Sequence, residues 1–259
     1  MSAARMRHEL VFWALLPFVF PQALIVRLTA PRFPAASGPT SGSISGEPSV
    51  RLVAIGDSII AGVGARTLDR ALVGQTATVV ARRLGVGVRW ESVGRIGATS
   101  AKVARHLVPL LPPEPADFVV VCVGVNDLTR LATLARWRRS LDTLLVLLHQ
   151  HSPGSVIAVA GIPPLQEFPL IPQPLRSVFG VRGRFFDMVA REVVAGHAYA
   201  VYVPVEFTPG PEKFSSDGYH PSESSYVEFG ESVATALVGH VNRSTAGRIA
   251  SPSPGALEE

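Results

Sequence analysis

The sequence predicts an α/β domain in which helices cover both faces of a parallel sheet. Between residues 50 and 241, short apolar runs of strand length alternate with longer amphipathic stretches of helical spacing. Such alternation is typical of parallel sheets built from strand-helix-strand units. The run 117–123 is apolar without a break after Asp117, as expected for a strand that is buried on both faces.

The same patterns assign each element in chain order. The predicted strands are 50–55, 88–93, 117–123, 155–162 and 200–205. The predicted helices are 68–84, which ends before Gly85, then about 99–111, 131–148, roughly 175–195 and 222–241. Five strands separated by helices therefore predict a single parallel sheet.

Composition excludes several classes of protein. The chain has 259 residues, of which 47% are hydrophobic and 17% are charged, so it can form a sizeable core and is not a disordered chain. Cys122 is the only cysteine, which excludes an internal disulfide and a cysteine-based zinc site. Because Cys122 falls within a predicted strand, we expect it to be a small buried apolar residue.

The charge pattern does not favour nucleic-acid binding. The net charge is +4, and the arginines are scattered apart from Arg82-Arg83 and the stretch 136–139. Both clusters fall on predicted helices, where a solvated helix face explains them. We therefore expect no nucleic-acid partner.

The ends of the chain differ from its middle. The mean hydropathy of +0.30 comes partly from residues 1–30, where basic residues precede an apolar run from Leu10 to Val26. This pattern indicates a signal-like segment or an uncleaved membrane anchor, and we favour the anchor because no clean cleavage site follows. The alternative is a buried helix that lies on the domain. Residues 31–49 are rich in Pro, Gly and Ser and predict a linker, and 242–259 predict a disordered tail.

Polar or glycine clusters follow four of the predicted strands. Ligands bind beyond the carboxyl ends of strands in an open parallel sheet. The clusters found there are Gly56-Asp57-Ser58, the stretch 94–99, Gly124-Val125-Asn126-Asp127, and Asp217-Gly218-Tyr219-His220. Together they supply a hydroxyl, backbone donors, an amide and a carboxylate-imidazole pair.

These groups are the ones that acyl transfer requires. A serine hydroxyl becomes a nucleophile when histidine removes its proton, and a carboxylate orients that histidine. Glycine N–H groups and an asparagine amide can stabilise the oxyanion. Each cluster taken singly has a plainer explanation as a turn or a helix cap, but the ordered set of four predicts a hydrolytic site. No Gly-x-Ser-x-Gly elbow, complete dinucleotide fingerprint or Walker lysine competes with this interpretation.

The motifs resemble those of the SGNH, or GDSL, hydrolase family. Gly56-Asp57-Ser58-Ile59 is similar to its first block, Gly124-x-Asn126-Asp127 to its third and Asp217-x-x-His220-Pro221 to its fifth. The resemblance implies a flavodoxin-like three-layer α/β/α sandwich with a five-stranded parallel sheet. It also implies Ser58 as nucleophile, His220 as general base and acid, and Asp217 as its orienting carboxylate. The implied oxyanion hole consists of Ser58, Gly97 and Asn126, and no metal or organic cofactor is implied.

Two positions depart from the family pattern. Ile59 replaces the usual leucine, a conservative change. The second block has Ser92-Val93-Gly94 where an asparagine commonly opens it, so Gly94 is a rival to Gly97 for the oxyanion role. We favour Gly97 because the following residues suit entry into a helix.

The expected function is that of a short-chain carboxylesterase that works through an acyl-enzyme on a small-molecule ester. The alternatives are a carbohydrate or lipid O-acyl esterase or acyltransferase, and a catalytically silent binding module on the same fold. The proline-rich segment 168–175 is expected either to line the site or to pack on the domain. The expected location is membrane-anchored or extracytoplasmic.

Overall fold

A mostly parallel sheet forms the centre of the molecule. The structure is a computed structural model that describes residues 3–205 and 210–250. Within these residues the sheet has six strands: β1 (Ser41–Ile44), β2 (Ser49–Gly56), β3 (Gly87–Gly94), β4 (Phe118–Cys122), β5 (Val156–Ala160) and β6 (Ala200–Val203).

The predicted site lies where the order of the strands across the sheet changes direction. The order is β1-β3-β2-β4-β5-β6, with β1 antiparallel to β3 and every other pair parallel. The five parallel strands taken alone follow the flavodoxin-like order 2-1-3-4-5, so the predicted five-stranded parallel sheet is confirmed. The chain leaves β2 toward β3 and then crosses back to β4. The carboxyl ends of β2 and β4 therefore border the crevice in which such folds bind ligands.

Helices cover both faces of this sheet. Those within the described residues are α1 (Ala3–Thr29), α2 (Leu72–Leu84), α3 (Ser100–His106), α4 (Val125–Thr129), α5 (Leu134–His151), α6 (Leu175–Ala195) and α7 (Glu223–Ala250). Helices α2 and α7 pack together on one face, and α3, α5 and α6 lie on the other.

Strand β4 explains why the core has two halves. All five of its residues are buried, and successive side chains of a strand point to opposite faces. Val119 and Val121 join the apolar cluster beneath α3, α5 and α6, whereas Phe118, Val120 and Cys122 join the cluster beneath α2 and α7. Cys122 is a free, buried thiol, as predicted.

The edge strand β1 lies within the segment that the sequence predicts as a linker. Ser41–Ile44 pairs with β3 in antiparallel register, with Gly42 opposite Trp90. A Cβ atom at Gly42 would lie 2.4 Å from the Trp90 ring, so the glycine lets the indole lie across the strand. The composition of this segment does not predict a strand, because Gly and Ser have low strand propensity. The position of the strand depends on Trp90, about fifty residues away in the chain.

Several helix limits also differ from the predicted ones. Helix α3 ends at His106 and a 3-10 turn follows at Val108–Leu110, because Pro109 lacks the N–H that an α-helix needs. A short helix, α4, precedes α5 and was not predicted. Helix α7 runs beyond residue 241 to Ala250, and residues 251–259 of the predicted tail lie outside the described residues.

The N-terminal helix combines two of the expected properties. Arg5–Thr29 is long and apolar enough to cross a membrane, which fits the predicted anchor. One side of the same helix lies against α6, where His8, Phe12 and Val19 are buried. Its other side exposes large apolar residues such as Leu10 and Phe18.

Candidate active site

Ser58 lies in the turn directly after β2, at the edge where parallel strands end. Its side chain is buried to 8% exposure. The Asp57 carboxylate beside it accepts a hydrogen bond from the Ile59 N–H at 3.1 Å, which holds the turn that carries the serine. The hydroxyl is thus placed at the mouth of the crevice between β2 and β4.

Asp217 and His220 lie in one turn before α7. One oxygen of Asp217 accepts from the Ser215 hydroxyl at 2.8 Å and from the N–H groups of Tyr219 and His220 at 2.8 and 2.9 Å. Its other oxygen lies 2.6 Å from Nδ1 of His220. The carboxylate therefore fixes both the backbone of the turn and the imidazole ring.

The imidazole joins this turn to the serine. Nε2 of His220 lies 3.0 Å from Oγ of Ser58. When Nδ1–H donates to Asp217, Nε2 is left to accept the serine proton, which is the tautomer that general-base catalysis needs. The structure thus brings together the three residues predicted as Ser-His-Asp.

The electrostatics of Asp217 suit an orienting carboxylate. Burial raises the pKa of this carboxyl, but hydrogen bonds from the His220 ring and from the backbone N–H groups of the turn outweigh burial. The net pKa falls to about 2. Asp217 is therefore ionised throughout the neutral range and available to stabilise a charged imidazole.

The residues predicted for an oxyanion hole come from three separate segments of the chain. The Asn126 amide follows β4 and donates from Nδ2 to the Asp57 carboxylate at 3.1 Å, which fixes the orientation of the amide and leaves its second N–H unused by that bond. Within the described residues, the N–H groups of Ser58 and Gly97 have no hydrogen-bond acceptor. Two backbone donors and one amide donor are therefore free for a ligand.

The structure distinguishes Gly97 from its rival Gly94. A Cβ atom at Gly94 would lie 2.3 Å from the Ala61 backbone nitrogen, so close packing of the strand against the Ser58 turn explains this glycine. Gly97 instead has a φ of 74°, which favours glycine, and its carbonyl accepts from Arg130 at 3.2 Å. Gly94 thus has a packing role, and Gly97 as the oxyanion donor stays a prediction.

A second buried carboxylate connects the loops of the site. Asp127 accepts from the backbone N–H of Ser100 at 2.9 Å and from its hydroxyl at 2.7 Å. This pair ties α4, which carries Asn126, to the start of α3, just after Gly97. In the sequence Asp127 stands out only as part of the third block, because its partner Ser100 lies 27 residues earlier in the chain.

The space beside Ser58 is small and its walls are mostly apolar. The cavity is about 50 Å³ and includes Ile59, Val125, Phe168 and Phe229 in its lining. A wider groove of about 480 Å³ adjoins it at Pro163 and Val205. Among the described residues, no group of three or more His, Cys, Asp or Glu side chains is arranged to bind a metal ion.

Asp57 is the ionisable residue of the site whose individual role sequence analysis missed. Burial raises the pKa of this carboxyl to about 7, despite hydrogen bonds from the Ile59 N–H and the Asn126 amide that lower it. The signal in the sequence was its place between the strand and Ser58, a position where an aspartate is usually a simple turn residue.

The raised pKa of Asp57 predicts a pH-dependent stability. Between about pH 4 and pH 7 the folded chain retains a proton that the unfolded chain releases, so the free energy of unfolding falls as the pH rises through this window. The Asp57→Asn variant has no carboxyl to titrate at this position, so its free energy of unfolding should not fall in this way. Relative to the wild type, we expect its free energy of unfolding to rise by roughly 2 to 3 kcal/mol from pH 5 to pH 8. Urea denaturation of both proteins at each pH measures this difference. A difference that stays constant with pH would contradict the buried, protonated carboxyl.

Comparison with known proteins identifies the family. The family model described as GDSL-like Lipase/Acylhydrolase family matches residues 54–227. The GDSL-like esterase Rv1075c of Mycobacterium tuberculosis is 30% identical over 188 residues, a match that covers 69% of this chain. The chain spans 58% of the length of that relative.

Solved structures share the fold. The match to a family 3 carbohydrate esterase of Clostridium thermocellum has a TM-score of 0.60 and 18% identity, and covers 77% of this chain and 100% of that one. The match to the psychrotrophic esterase EstA of Pseudoalteromonas sp. has a TM-score of 0.58 and 15% identity, and covers 74% of this chain and 98% of that one. The fold and the family-model match over more than half of the sequence agree, and the chain belongs to the GDSL-like lipase/acylhydrolase family.

Proposed function

We propose that this protein is a serine hydrolase that cleaves carboxylic esters through an acyl-enzyme. One observation carries the proposal. The Asp217 carboxylate, the His220 imidazole and the Ser58 hydroxyl form a continuous line of contacts of 2.6 and 3.0 Å beside a cavity. This arrangement activates a serine for attack on a carbonyl carbon.

In the first half-reaction, Ser58 Oγ attacks the ester carbonyl while Nε2 of His220 accepts the hydroxyl proton. The carbonyl oxygen becomes an oxyanion, which accepts hydrogen bonds from the Ser58 N–H, the Gly97 N–H and the Asn126 amide. The tetrahedral intermediate then expels the alcohol, which takes the proton from His220 as it leaves. Asp217 stabilises the imidazolium between these two transfers.

In the second half-reaction, water replaces the alcohol. The water oxygen attacks the acyl carbon while His220 accepts a proton from the water. A second tetrahedral intermediate then forms in the same oxyanion hole. Collapse of this intermediate releases the carboxylic acid, and the proton returns to Ser58. No step requires a metal or an organic cofactor.

The two adjoining spaces support a short acyl chain as the preferred substrate group. The cavity beside Ser58 holds few heavy atoms, and its apolar walls suit an acetyl to butyryl chain. The wider groove includes Gln166, Glu167, Arg184 and Asp187 in its lining, polar groups that suit a hydrophilic alcohol. This lining supports a second candidate, an O-acylated carbohydrate, either as the ester that is cleaved or, in acyl transfer, as the acceptor.

A series of p-nitrophenyl esters from two to twelve carbons tests the proposed substrate class. We expect kcat/KM to be highest for the acetyl or butyryl ester and to fall at least about tenfold at eight carbons, since longer chains exceed the cavity. The Phe229→Ala variant should shift the optimum toward longer chains. Val227→Ala is the matched control on the exposed side of α7 and should leave it unchanged.

A parallel assay distinguishes the second candidate. Release of acetate from an acetylated sugar, or formation of an acylated sugar when free sugar is added, would favour the carbohydrate substrate over simple esters. An optimum at twelve carbons in the wild type would contradict a short-chain preference. If no ester is turned over, the alternative of a silent binding module is favoured. The hydrogen-bonded Asp217, His220 and Ser58 argue against that alternative.

We also propose that the protein acts at a membrane, with α1 as its attachment. The length and apolar composition of α1 support this location, as do the basic residues at both ends of its apolar run.

A further inference from the structure

Helix α1 is attached to the domain at two separated points. Near its start, the Glu9 carboxylate meets the Arg182 guanidinium at 3.5 Å, and Arg182 has no exposed side-chain surface. Near its end, Gln22 donates to the Gln173 carbonyl oxygen at 2.8 Å and accepts from the Leu175 N–H at 3.1 Å. Glu9 and Gln22 are about 20 Å apart along a helix with a rise of 1.5 Å per residue. The domain therefore holds α1 along much of its length.

Apolar packing reinforces these polar contacts. The Phe12 ring lies beneath the Arg182 guanidinium, 3.6 Å from its central carbon, and the His8 ring stacks on Phe185 at 3.7 Å. Phe12 and Val19 belong to the same apolar cluster as the residues beneath α5 and α6. One side of α1 is thus part of the folded core.

The opposite side of α1 is apolar, and no residue in the described part of the chain covers it. We call it the outward face, and its residues Met6, Leu10, Phe18, Ile25 and Leu28 are 57% to 80% exposed. At 100° per residue these positions fall on one side of the helix, away from Phe12 and Val19. So many large apolar side chains along one face indicate an interaction surface.

The charges around the outward face match an anionic surface. Arg7 precedes most of it, Arg27 and Arg32 lie at its end, and all three are exposed. The only acidic residue in the first 46 is Glu9, which is turned toward the buried Arg182 and is 13% exposed. Basic residues at the ends of an apolar face are attracted to the anionic headgroups of a lipid surface.

We infer that α1 lies flat on an anionic lipid bilayer, with its outward face in the interface and its inner face docked on α6. This inference deepens the membrane association proposed above and rests on it. A helix that crossed the bilayer while docked would draw α6 into the hydrocarbon, and α6 carries Arg182, Arg184 and Arg191. Burying such charges in lipid is costly, whereas the flat orientation leaves them in the protein or in water.

Hydrogen bonds also connect the docked helix to the active site. Gln22 of α1 contacts Gln173 in the segment 168–175, and Leu170 of this segment donates to the Gly218 carbonyl oxygen at 3.2 Å. Gly218 lies between Asp217 and His220 in the turn of the site. The segment 168–175 thus connects the docked helix to the turn that orients the imidazole.

Vesicle flotation of the full chain tests whether the outward face binds lipid. We expect the protein to float with vesicles of phosphatidylcholine and phosphatidylglycerol and to bind pure phosphatidylcholine more weakly. The paired substitution Leu10→Glu and Phe18→Glu should lower the lipid-bound fraction at least about tenfold. Leu110→Glu changes another exposed leucine, 60% exposed and outside α1, and should have no effect.

Depth measurements distinguish a flat helix from one that spans the bilayer. Single cysteines at Leu10, Phe18 and Leu28 can be spin-labelled selectively because Cys122 is buried. We expect similar, shallow depths at all three positions. A profile in which Phe18 is deepest and the other two lie near opposite interfaces would overturn the flat orientation while preserving membrane association.

Two further outcomes would count against the inference. If the wild-type protein does not float with the vesicles, both the flat orientation and the membrane location are overturned. The wild type could instead fail to float but form a dimer that dissociates on dilution. If the Leu10→Glu and Phe18→Glu pair abolishes that dimer, the outward face binds a second copy of the chain and not lipid. Turnover of p-nitrophenyl butyrate in solution is measured in every sample and reports the proposed chemistry separately.

Discussion

Replacing Ser58 with alanine is expected to lower kcat for ester hydrolysis by roughly 10⁴- to 10⁶-fold. The substitution removes the attacking oxygen and leaves the carbon skeleton of a small residue, so the turn after β2 should keep its shape. Stopped assays with p-nitrophenyl acetate and butyrate measure the loss, and circular dichroism checks that the variant is folded.

Ser232→Ala is the matched control for this variant. Ser232 lies on the exposed side of α7, where its hydroxyl donates only to the Glu228 carbonyl oxygen, and its replacement should leave kcat unchanged within about twofold. A Ser58→Ala protein with turnover close to that of the wild type would remove the nucleophile from the account.

The second large effect is expected for Asp217→Asn, at about 10⁴-fold in kcat with little change in KM. The asparagine oxygen can still accept the three bonds that hold the turn. Its amide, however, presents a donor to Nδ1 of His220, which forces the proton of the ring onto Nε2. A protonated Nε2 cannot accept the Ser58 proton, so the chemical step fails although the fold remains.

A second carboxylate-histidine pair provides the control. Asp142 contacts Nε2 of His197 at 2.9 Å and is 57% exposed, and Asp142→Asn should change kcat by no more than about twofold. Equal losses in the two variants would mean that the effect of Asp217→Asn comes from general destabilisation. Retention of activity in Asp217→Asn would contradict the orienting role.

The parallel sheet and the grouping of the site residues could be predicted from local patterns. Strands such as β4 are apolar on both faces. This pattern can be read from the strand's own residues, without knowing which helices pack on it. Parallel strands place their carboxyl ends at one edge of the sheet, so polar residues after β2 and β4 must lie close together. The same rule predicts from the sequence that Ser58 and Asn126 belong to one site.

Features that depend on distant partners could not be predicted. The strand at Ser41–Ile44 has a weak strand composition, and Trp90 makes its pairing favourable. The docking of α1 depends on Glu9 meeting Arg182, which lies 173 residues away in the chain. An apolar run alone therefore predicted an anchor but gave no indication that one side of it belongs to the core.

Two details of the site needed the backbone geometry. The choice between Gly94 and Gly97 rests on the close contact of the first with Ala61 and the positive φ of the second. The raised pKa of Asp57 depends on its burial, which outweighs the hydrogen bond from Asn126. Neither property has a signature in residue order.

Covalent labelling with a fluorophosphonate tests most directly the claim that Ser58 is an activated nucleophile. The reagent reacts with a serine whose proton is accepted by a neighbouring base, and the mass of the intact chain followed by peptide mapping locates the adduct. The account predicts one adduct per chain, on Ser58, and none in the Ser58→Ala variant. An adduct on another residue, or an unlabelled chain that still hydrolyses p-nitrophenyl esters, would contradict it.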